Sequence, residues 1–396
     1  MAMRTQLLRL LPLLLLLLPS PLRDYLSADE AASGRFGQGQ LQVYYPIILP
    51  GPGKGWFPLW NNTRDVLDHD YLPCLQKQMS LMYHPVLNDF WNRPGVGTRV
   101  PDFGSSYGFT SKDEVGGRNI YCMSKLRQEL EALGYRDRDT LFGAPYDLRH
   151  APPSPGYEKN GNKPVILVGH NFGGKAGLDF VNSTPLPWRK RFIKHMVLIA
   201  PTPPTGFVQV LTDFASGPSV ILIPTAPWLG LRPMWRTFAC SLISFPSTRV
   251  FGHEPLVVTK QMNYSAYDYR DFLMALGFNT DIIKWILRMN LKVNAPMVPT
   301  TYLNGVGFQT IDQAVYWDNN FDVEPEYVYG DGDDVVNLVS LLAFVEEMRR
   351  QQQRNSIHFK FIKIAHTNHS HILIQERSLK RVMAEILEAN CRRDIM

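Results

Sequence analysis

Short apolar runs that stop at a chain breaker recur along this sequence. Ile47, Ile48 and Leu49 stop at Pro50-Gly51, and Val165, Ile166, Leu167 and Val168 stop at Gly169. Met196, Val197, Leu198 and Ile199 stop at Ala200-Pro201, and Tyr327, Val328 and Tyr329 stop at Gly330. Runs of this length without polar alternation predict strands buried on both faces. Phe359, Phe361, Ile362 and Ile364 predict one more strand, which runs into a histidine-rich loop. Helical spacing intervenes. Ala176, Leu178 and Phe180 follow the Gly169 turn, and Leu379, Val382, Met383, Ile386 and Leu387 share one face of a last helix, opposite Lys380, Arg381, Glu385 and Glu388. Strands alternating with helices build a mostly parallel sheet, so the fold class is α/β.

Two stretches, about 55–115 and 203–300, break this rhythm with aromatic residues, Pro and Gly. They predict insertions over an edge of the sheet. Trp56, Phe57 and Trp60 in the first, and Trp228, Leu229, Leu231, Met234 and Trp235 in the second, have two readings. They form a lipid-facing, substrate-binding lid, or they pack the insertions' own small core. A third irregular segment holds Pro152, Pro153, Pro155 and Pro164 with Gly156 and Gly161, so no helix of useful length fits there. A crossover between parallel strands ordinarily needs about a dozen residues and a helix. Its absence predicts an uncovered apolar sheet face and a destabilised, aggregation-prone product.

Composition changes this picture little: 45% apolar and 19% charged residues over 396 positions are those of a globular chain, not a disordered or multi-span one. The net charge is +5 and falls to +3 once Arg4, Arg9, Arg23 and Asp24 are set aside, which is too weak for a nucleic-acid partner. Those residues belong to a leader. Arg4 and Arg9 precede a leucine run closed by Pro19, too short to span a bilayer, and Ser27, Ala28, Ala31 and Ala32 offer cleavage sites. The expected organisation is a signal peptide at 1–28 and one domain at 29–396. That places the chain in the secretory pathway, bound for the cell exterior or a vacuolar or lysosomal lumen. N-x-S/T triplets at Asn61, Asn182, Asn263 and Asn368 permit glycosylation. Cys74, Cys122, Cys240 and Cys391 lack C-x-x-C spacing, which argues against a zinc or thioredoxin-type site and leaves disulfides and buried free thiols both open.

Candidate chemistry lies at three strand ends, where ligands of open α/β sheets bind. Gly169-His170-Asn171-Phe172-Gly173-Gly174 follows a strand and opens a helix, the context of the G-x-S-x-G nucleophile elbow. The serine position holds Asn171. Its amide nitrogen is delocalised into the carbonyl and has no proton that a histidine can remove, so it is no nucleophile. Gly330-Asp331-Gly332-Asp333-Asp334 supplies a late acid, and Asn368-His369-Ser370-His371 supplies histidines. Nucleophile, acid and histidine in that chain order are those of α/β hydrolases.

The chain resembles the lecithin-cholesterol acyltransferase family, which includes lysosomal phospholipases and plant lecithin-cholesterol acyltransferase-like proteins. The resemblance rests on Arg99-Val100-Pro101-Asp102-Phe103-Gly104, Gly143-Ala144-Pro145-Tyr146-Asp147-Leu148-Arg149, the elbow, Asn263-Tyr264-Ser265-Ala266-Tyr267-Asp268-Tyr269, the acidic Gly loop, and His369 followed by Ile372 and Leu373. It implies an α/β-hydrolase fold with lid and cap insertions, acting on glycerophospholipids at a phospholipid or sterol-containing lipid surface. Acyl transfer would run to a sterol, another alcohol or water. It further implies Asp333 as the acid, His369 as the base and the Phe172 N–H as an oxyanion donor, with no cofactor and no metal.

Three departures accompany the match. Asn171 removes the nucleophile. The segment Pro50-Gly51-Pro52-Gly53-Lys54-Gly55 puts Pro52, which has no N–H, where the family has a second oxyanion donor. The chain also reaches Gly55-Trp56-Phe57 early, without a lid cysteine to partner Cys74. An enzyme built this way needs a substitute nucleophile, and Ser105 and Ser106 do not sit on an elbow. The sequence therefore carries two functional readings: an O-acyltransferase or phospholipase-class protein impaired or inactive at its nucleophile, and a non-catalytic lipid-binding pseudoenzyme.

Overall fold

Residues 40–43, 48–50, 56–58, 72–98, 103–109, 114–115, 118–119, 123–147, 149–150, 164–217, 228–288 and 293–391 are described by the structure, a computed structural model. Six strands form its central sheet in the order β16 (Phe359–Ala365), β13 (Thr300–Val306), β10 (Ile193–Pro201), β9 (Val165–Asn171), β1 (Gln40–Val43) and β8 (Leu141–Gly143). Every neighbouring pair is parallel. Side chains alternate across a strand, and here both sides are apolar. Val165, Leu167, Met196, Leu198 and Tyr302 share one core with Leu178 and Val181 of α3 (Phe172–Ser183) and with Leu341, Phe344 and Met348 of α7 (Leu338–Arg354). Ile166, Val168, Val197, Ile199 and Leu303 meet Leu126 and Leu130 of α2 (Ser124–Ala132) and Val382 and Ile386 of α8 (Glu376–Cys391) on the other side. This double burial is why the central strands read as unbroken apolar runs.

Two strand expectations are corrected. Ile48 and Leu49 do not enter the central sheet: β2 (Ile48–Pro50) pairs antiparallel with β3 (Trp56–Pro58) in a separate hairpin. The strand beside β9 is Gln40–Val43, whose alternating glutamines hide it from a search for apolar runs. Tyr327, Val328 and Tyr329 lie in β15 (Glu326–Gly332) of a second sheet, ordered β12 (Asn263–Tyr264), β11 (Val257–Thr259), β14 (Phe308–Tyr316), β15. Val328 and Tyr329 are about half exposed there, at 50% and 51%. The cause is connection length. Only Gly307, at φ +86°, separates β13 from β14, and a parallel neighbour cannot be reached so quickly. The chain turns out of the sheet and doubles back antiparallel as β14 and β15.

The 203–300 stretch is richer in helix than its sequence suggests. It holds α4 (Gln209–Ser216), α5 (Trp228–Trp235) and α6 (Thr280–Arg288). All eight residues of α4 are buried, so it has no polar face to produce a helical rhythm. Nearer the N-terminus, α1 (Leu72–Met79) leads into a hairpin of β4 (Leu81–His84) and β5 (Asp89–Asn92), and β6 (Glu114–Val115) pairs with β7 (Arg118–Asn119). The leader and the proline-rich segment 151–163 lie outside the described residues, as do Gly51-Pro52-Gly53-Lys54-Gly55 and Cys122. No described helix is long and apolar enough to cross a membrane.

Candidate functional site

The turn from β9 into α3 is sharp. Asn171 sits at its tip with φ 53° and ψ −131°, outside the ordinary regions for an L-residue. Two glycines permit this. A Cβ on Gly169 would lie 2.7 Å from Gly174 Cα and 2.8 Å from Gly173 O, and a Cβ on Gly174 would lie 2.6 Å from Pro201 Cβ. The amide is held from the neighbouring strand end. Thr202 Oγ1 donates to Asn171 Oδ1 at 2.8 Å, and Thr202 N donates to Asn171 O at 3.1 Å. Phe172 is the first residue of α3, so its N–H is among the first-turn donors that no helix carbonyl satisfies.

Asp333 follows β15 and is fully buried. Its Oδ2 accepts from His369 Nδ1 at 2.9 Å and from Asn304 Nδ2 at 2.9 Å. Its Oδ1 accepts from the Val336 N–H at 2.7 Å and the Val335 N–H at 3.2 Å. Burial alone raises the Asp333 pKa. The His369 charge and the hydrogen bonds from His369, Val336 and Asn304 outweigh it and hold the carboxyl below the usual range. The His369 backbone N–H also donates to Asp333 O, at 2.7 Å, so loop and ring are fixed together. With Nδ1–H given to the carboxylate, neutral His369 carries its lone pair on Nε2. That atom is buried and has no hydrogen-bond partner among the described residues.

His170 joins the histidine loop to the elbow. Its Nε2 lies 3.1 Å from His369 O, and the two rings are 5.4 Å apart. Burial, with the His369 charge beside it, pushes the His170 pKa down to about 3, so this imidazole is neutral and its Nε2–H donates to the carbonyl. The structure thus brings Asp333, His369 and the turn carrying Asn171 to one place at the ends of β9, β13, β15 and β16. His170, Thr202 and Asn304 complete it, and sequence reasoning missed all three. A polar residue closing the buried run Tyr302-Leu303-Asn304 was the available signal for Asn304; nothing short of the fold signals the other two.

The remaining candidates are elsewhere. Ser105 Oγ donates to Asp137 Oδ2 at 2.9 Å and Ser106 Oγ to Asp137 Oδ1 at 2.7 Å, which ties both hydroxyls to a surface turn. Trp235 is partly buried against the main core, its ring 5.3 Å from Phe238. Trp56 begins β3 and Trp228 begins α5. Trp60 lies outside the described residues. Cys74 and Cys391 are exposed free thiols, and Cys240 is a buried one whose pKa burial pushes up to about 12. Among the described residues no three His, Cys, Asp or Glu side chains cluster to hold a metal.

A parallel sheet, a strand-turn-helix elbow at φ 53°, and an acid–histidine pair from two later strand ends define an α/β hydrolase. The model of the lecithin:cholesterol acyltransferase family matches residues 56–307, and the chain belongs to that family. It is 33% identical over 404 residues to lecithin-cholesterol acyltransferase-like 1 of Oryza sativa subsp. japonica, covering 90% of this chain and 89% of that one. The protein of the same name from Arabidopsis thaliana is 34% identical over 368 residues, covering 86% and 82%. The lysosomal phospholipase A and acyltransferase of Rattus norvegicus is 29% identical over 356 residues, covering 83% and 82%.

Proposed function

We propose that this chain is a lipid O-acyltransferase and phospholipase-class protein whose ester chemistry is silenced at Asn171, and that it works at a phospholipid or sterol-containing surface in the lumen of the secretory pathway or outside the cell. The observation that carries this reading is the unpartnered Nε2 of His369 beside an elbow whose tip is a carboxamide. A base is prepared and no acidic proton is offered to it. The lysosomal site and the lipid substrate are those in the names of the relatives, and the leader supports a lumenal location.

Restoring a serine at the tip supplies the missing step. Its Oγ attacks the ester carbonyl of a glycerophospholipid while His369 Nε2 takes the hydroxyl proton. Asp333 stabilises the imidazolium, and the Phe172 N–H faces the developing oxyanion. Collapse returns the proton to the leaving lysolipid alkoxide and leaves an acyl-serine. An alcohol or water then removes the acyl group by the same route in reverse.

The test compares the natural chain with Asn171→Ser for labelling by a serine-hydrolase probe and for fatty-acid release and acyl transfer from labelled phosphatidylcholine. Labelling and turnover by the variant alone support the reading. Turnover by the natural chain overturns it. If neither form turns over, the missing second oxyanion donor and crossover helix have removed the enzyme as well, and the second reading, a purely lipid-binding protein, takes its place.

A further inference from the structure

Asn171 is no nucleophile, but its carboxamide is itself an acyl compound, and acyl compounds are what an acid–histidine pair at an elbow hydrolyses. The amide is set up as an electrophile. Thr202 Oγ1 donates to Asn171 Oδ1 at 2.8 Å, as a donor to a developing oxyanion would. The tip opens α3, a helix of 12 residues whose N-terminal dipole favours negative charge there. A base stands next to it. His170, the residue before Asn171, has its Nε2 3.1 Å from His369 O and its ring 5.4 Å from the His369 ring. His369 Nε2 is buried and has no hydrogen-bond partner among the described residues, and Asp333 holds Nδ1 at 2.9 Å. Asp333 and Asp334 after β15 and His170 at the end of β9 are the titratable groups that act on that ring. Asn171 is only partly buried, so water reaches its side chain.

We propose that the site hydrolyses its own tip, converting Asn171 into aspartate with water as the second reactant. His369 Nε2 takes a proton from water as the water oxygen bonds to Asn171 Cγ, and the carbonyl electron pair moves onto Oδ1, where Thr202 holds it. When that pair returns, the Cγ–Nδ2 bond breaks and the imidazolium proton passes to the leaving nitrogen. Ammonia departs, the new carboxylic acid gives its proton to solvent, and His369 ends neutral as it began. Ordinary deamidation differs: the following backbone nitrogen closes a ring, whose opening gives aspartate and isoaspartate together. Direct hydrolysis gives aspartate alone. The inference rests on the reading of Asp333 and His369 as a prepared pair, and on no lipid. An Asn171→Ser variant that turns over, beside a natural chain that keeps its amide, would remove this inference and leave that reading intact.

The experiment incubates the full natural chain at neutral pH and follows amide-to-acid exchange at Asn171 by peptide mass spectrometry, with aspartate and isoaspartate told apart by fragmentation. His369→Gln and Thr202→Val serve as variants, each checked for an unchanged melting temperature. Aspartate free of isoaspartate is expected to accumulate at Asn171 in the natural chain. Its rate should fall about a hundredfold or more in His369→Gln, which lacks the base, and about a hundredfold in Thr202→Val, which lacks the oxyanion donor. Isoaspartate at this position, exchange no faster than at the exposed Asn279, or an unchanged rate in the folded variants would each overturn the proposal. The first two outcomes are read from the natural chain and decide even where a variant fails to fold.

Discussion

Asn171 decides what the neighbouring residues can do. Asp333 and His369 form a buried, doubly bonded pair, so in the Asn171→Ser background both should be needed. Asp333→Asn in that background is expected to lower turnover by about 10³–10⁴, because it permits the wrong imidazole tautomer; retention of activity within tenfold would show that Asp333 does not orient His369. The elbow itself is intolerant. Gly169→Ala places a methyl group 2.7 Å from Gly174 Cα, and the collision is with backbone that cannot move aside. A loss of about 1–3 kcal/mol in urea unfolding is expected, by the measured cost of overpacking. How much of the site the sequence disclosed follows from chemistry of this kind. Asn171, Asp333 and His369 were legible because each lies in a short motif at a strand end. His170, Thr202 and Asn304 act by meeting residues 199, 31 and 29 positions away, and no local pattern encodes such meetings.

At the level of elements, one buried side chain helps tie the first insertion to the sheet. Arg149 is fully buried. Its guanidinium donates to Asp147 Oδ2 at 2.7 Å, to Met79 O at 3.0 Å and to Asn92 Oδ1 at 2.6 Å. It therefore joins the end of α1 and strand β5 to the loop after β8. Burial alone raises the Asp147 pKa, but Arg149 and His150 more than reverse it. Removing the cation leaves that carboxylate with Thr98 and His150 beside it and takes the donor away from two carbonyl oxygens. Arg149→Met is expected to cost about 3 kcal/mol or more, seen as a lowered melting temperature and as new proteolytic cuts between residues 72 and 98. Unaltered proteolysis would mean the insertion is anchored by its apolar contacts instead. Strand and helix assignments from sequence held where burial is two-sided or amphipathic, as in β9, β10 and α8. They failed where an element is short and buried all round, as in α4, or polar by alternation, as in β1.

The whole molecule should lose stability in acid earlier than its carboxylates alone require. His170 has a folded pKa of about 3 against an ordinary 6.5. Between those values the unfolded chain binds the extra proton and the folded chain does not, so stability is complete above about pH 6.5 and declines as pH falls toward 3. Asp333 acts lower. Its folded pKa is depressed, so its contribution is present above the ordinary carboxylate value and is lost as pH falls through the folded one. Urea midpoints at pH 7 and pH 5 should therefore differ, and His170→Asn, which keeps a neutral donor, should narrow that difference. An equal difference in the variant would remove His170 from the account.

Asparagine's tolerance of positive φ belongs to the left-handed α region, so at φ 53° and ψ −131° it carries the same backbone strain that serine would, which bears on the history of the chain. The turn favours neither occupant over the other. One base separates an AGC serine codon from an AAC asparagine codon. As long as the glycines keep the turn folded, drift at that base leaves the fold untouched, and under the reading proposed above the road back to a serine stays short.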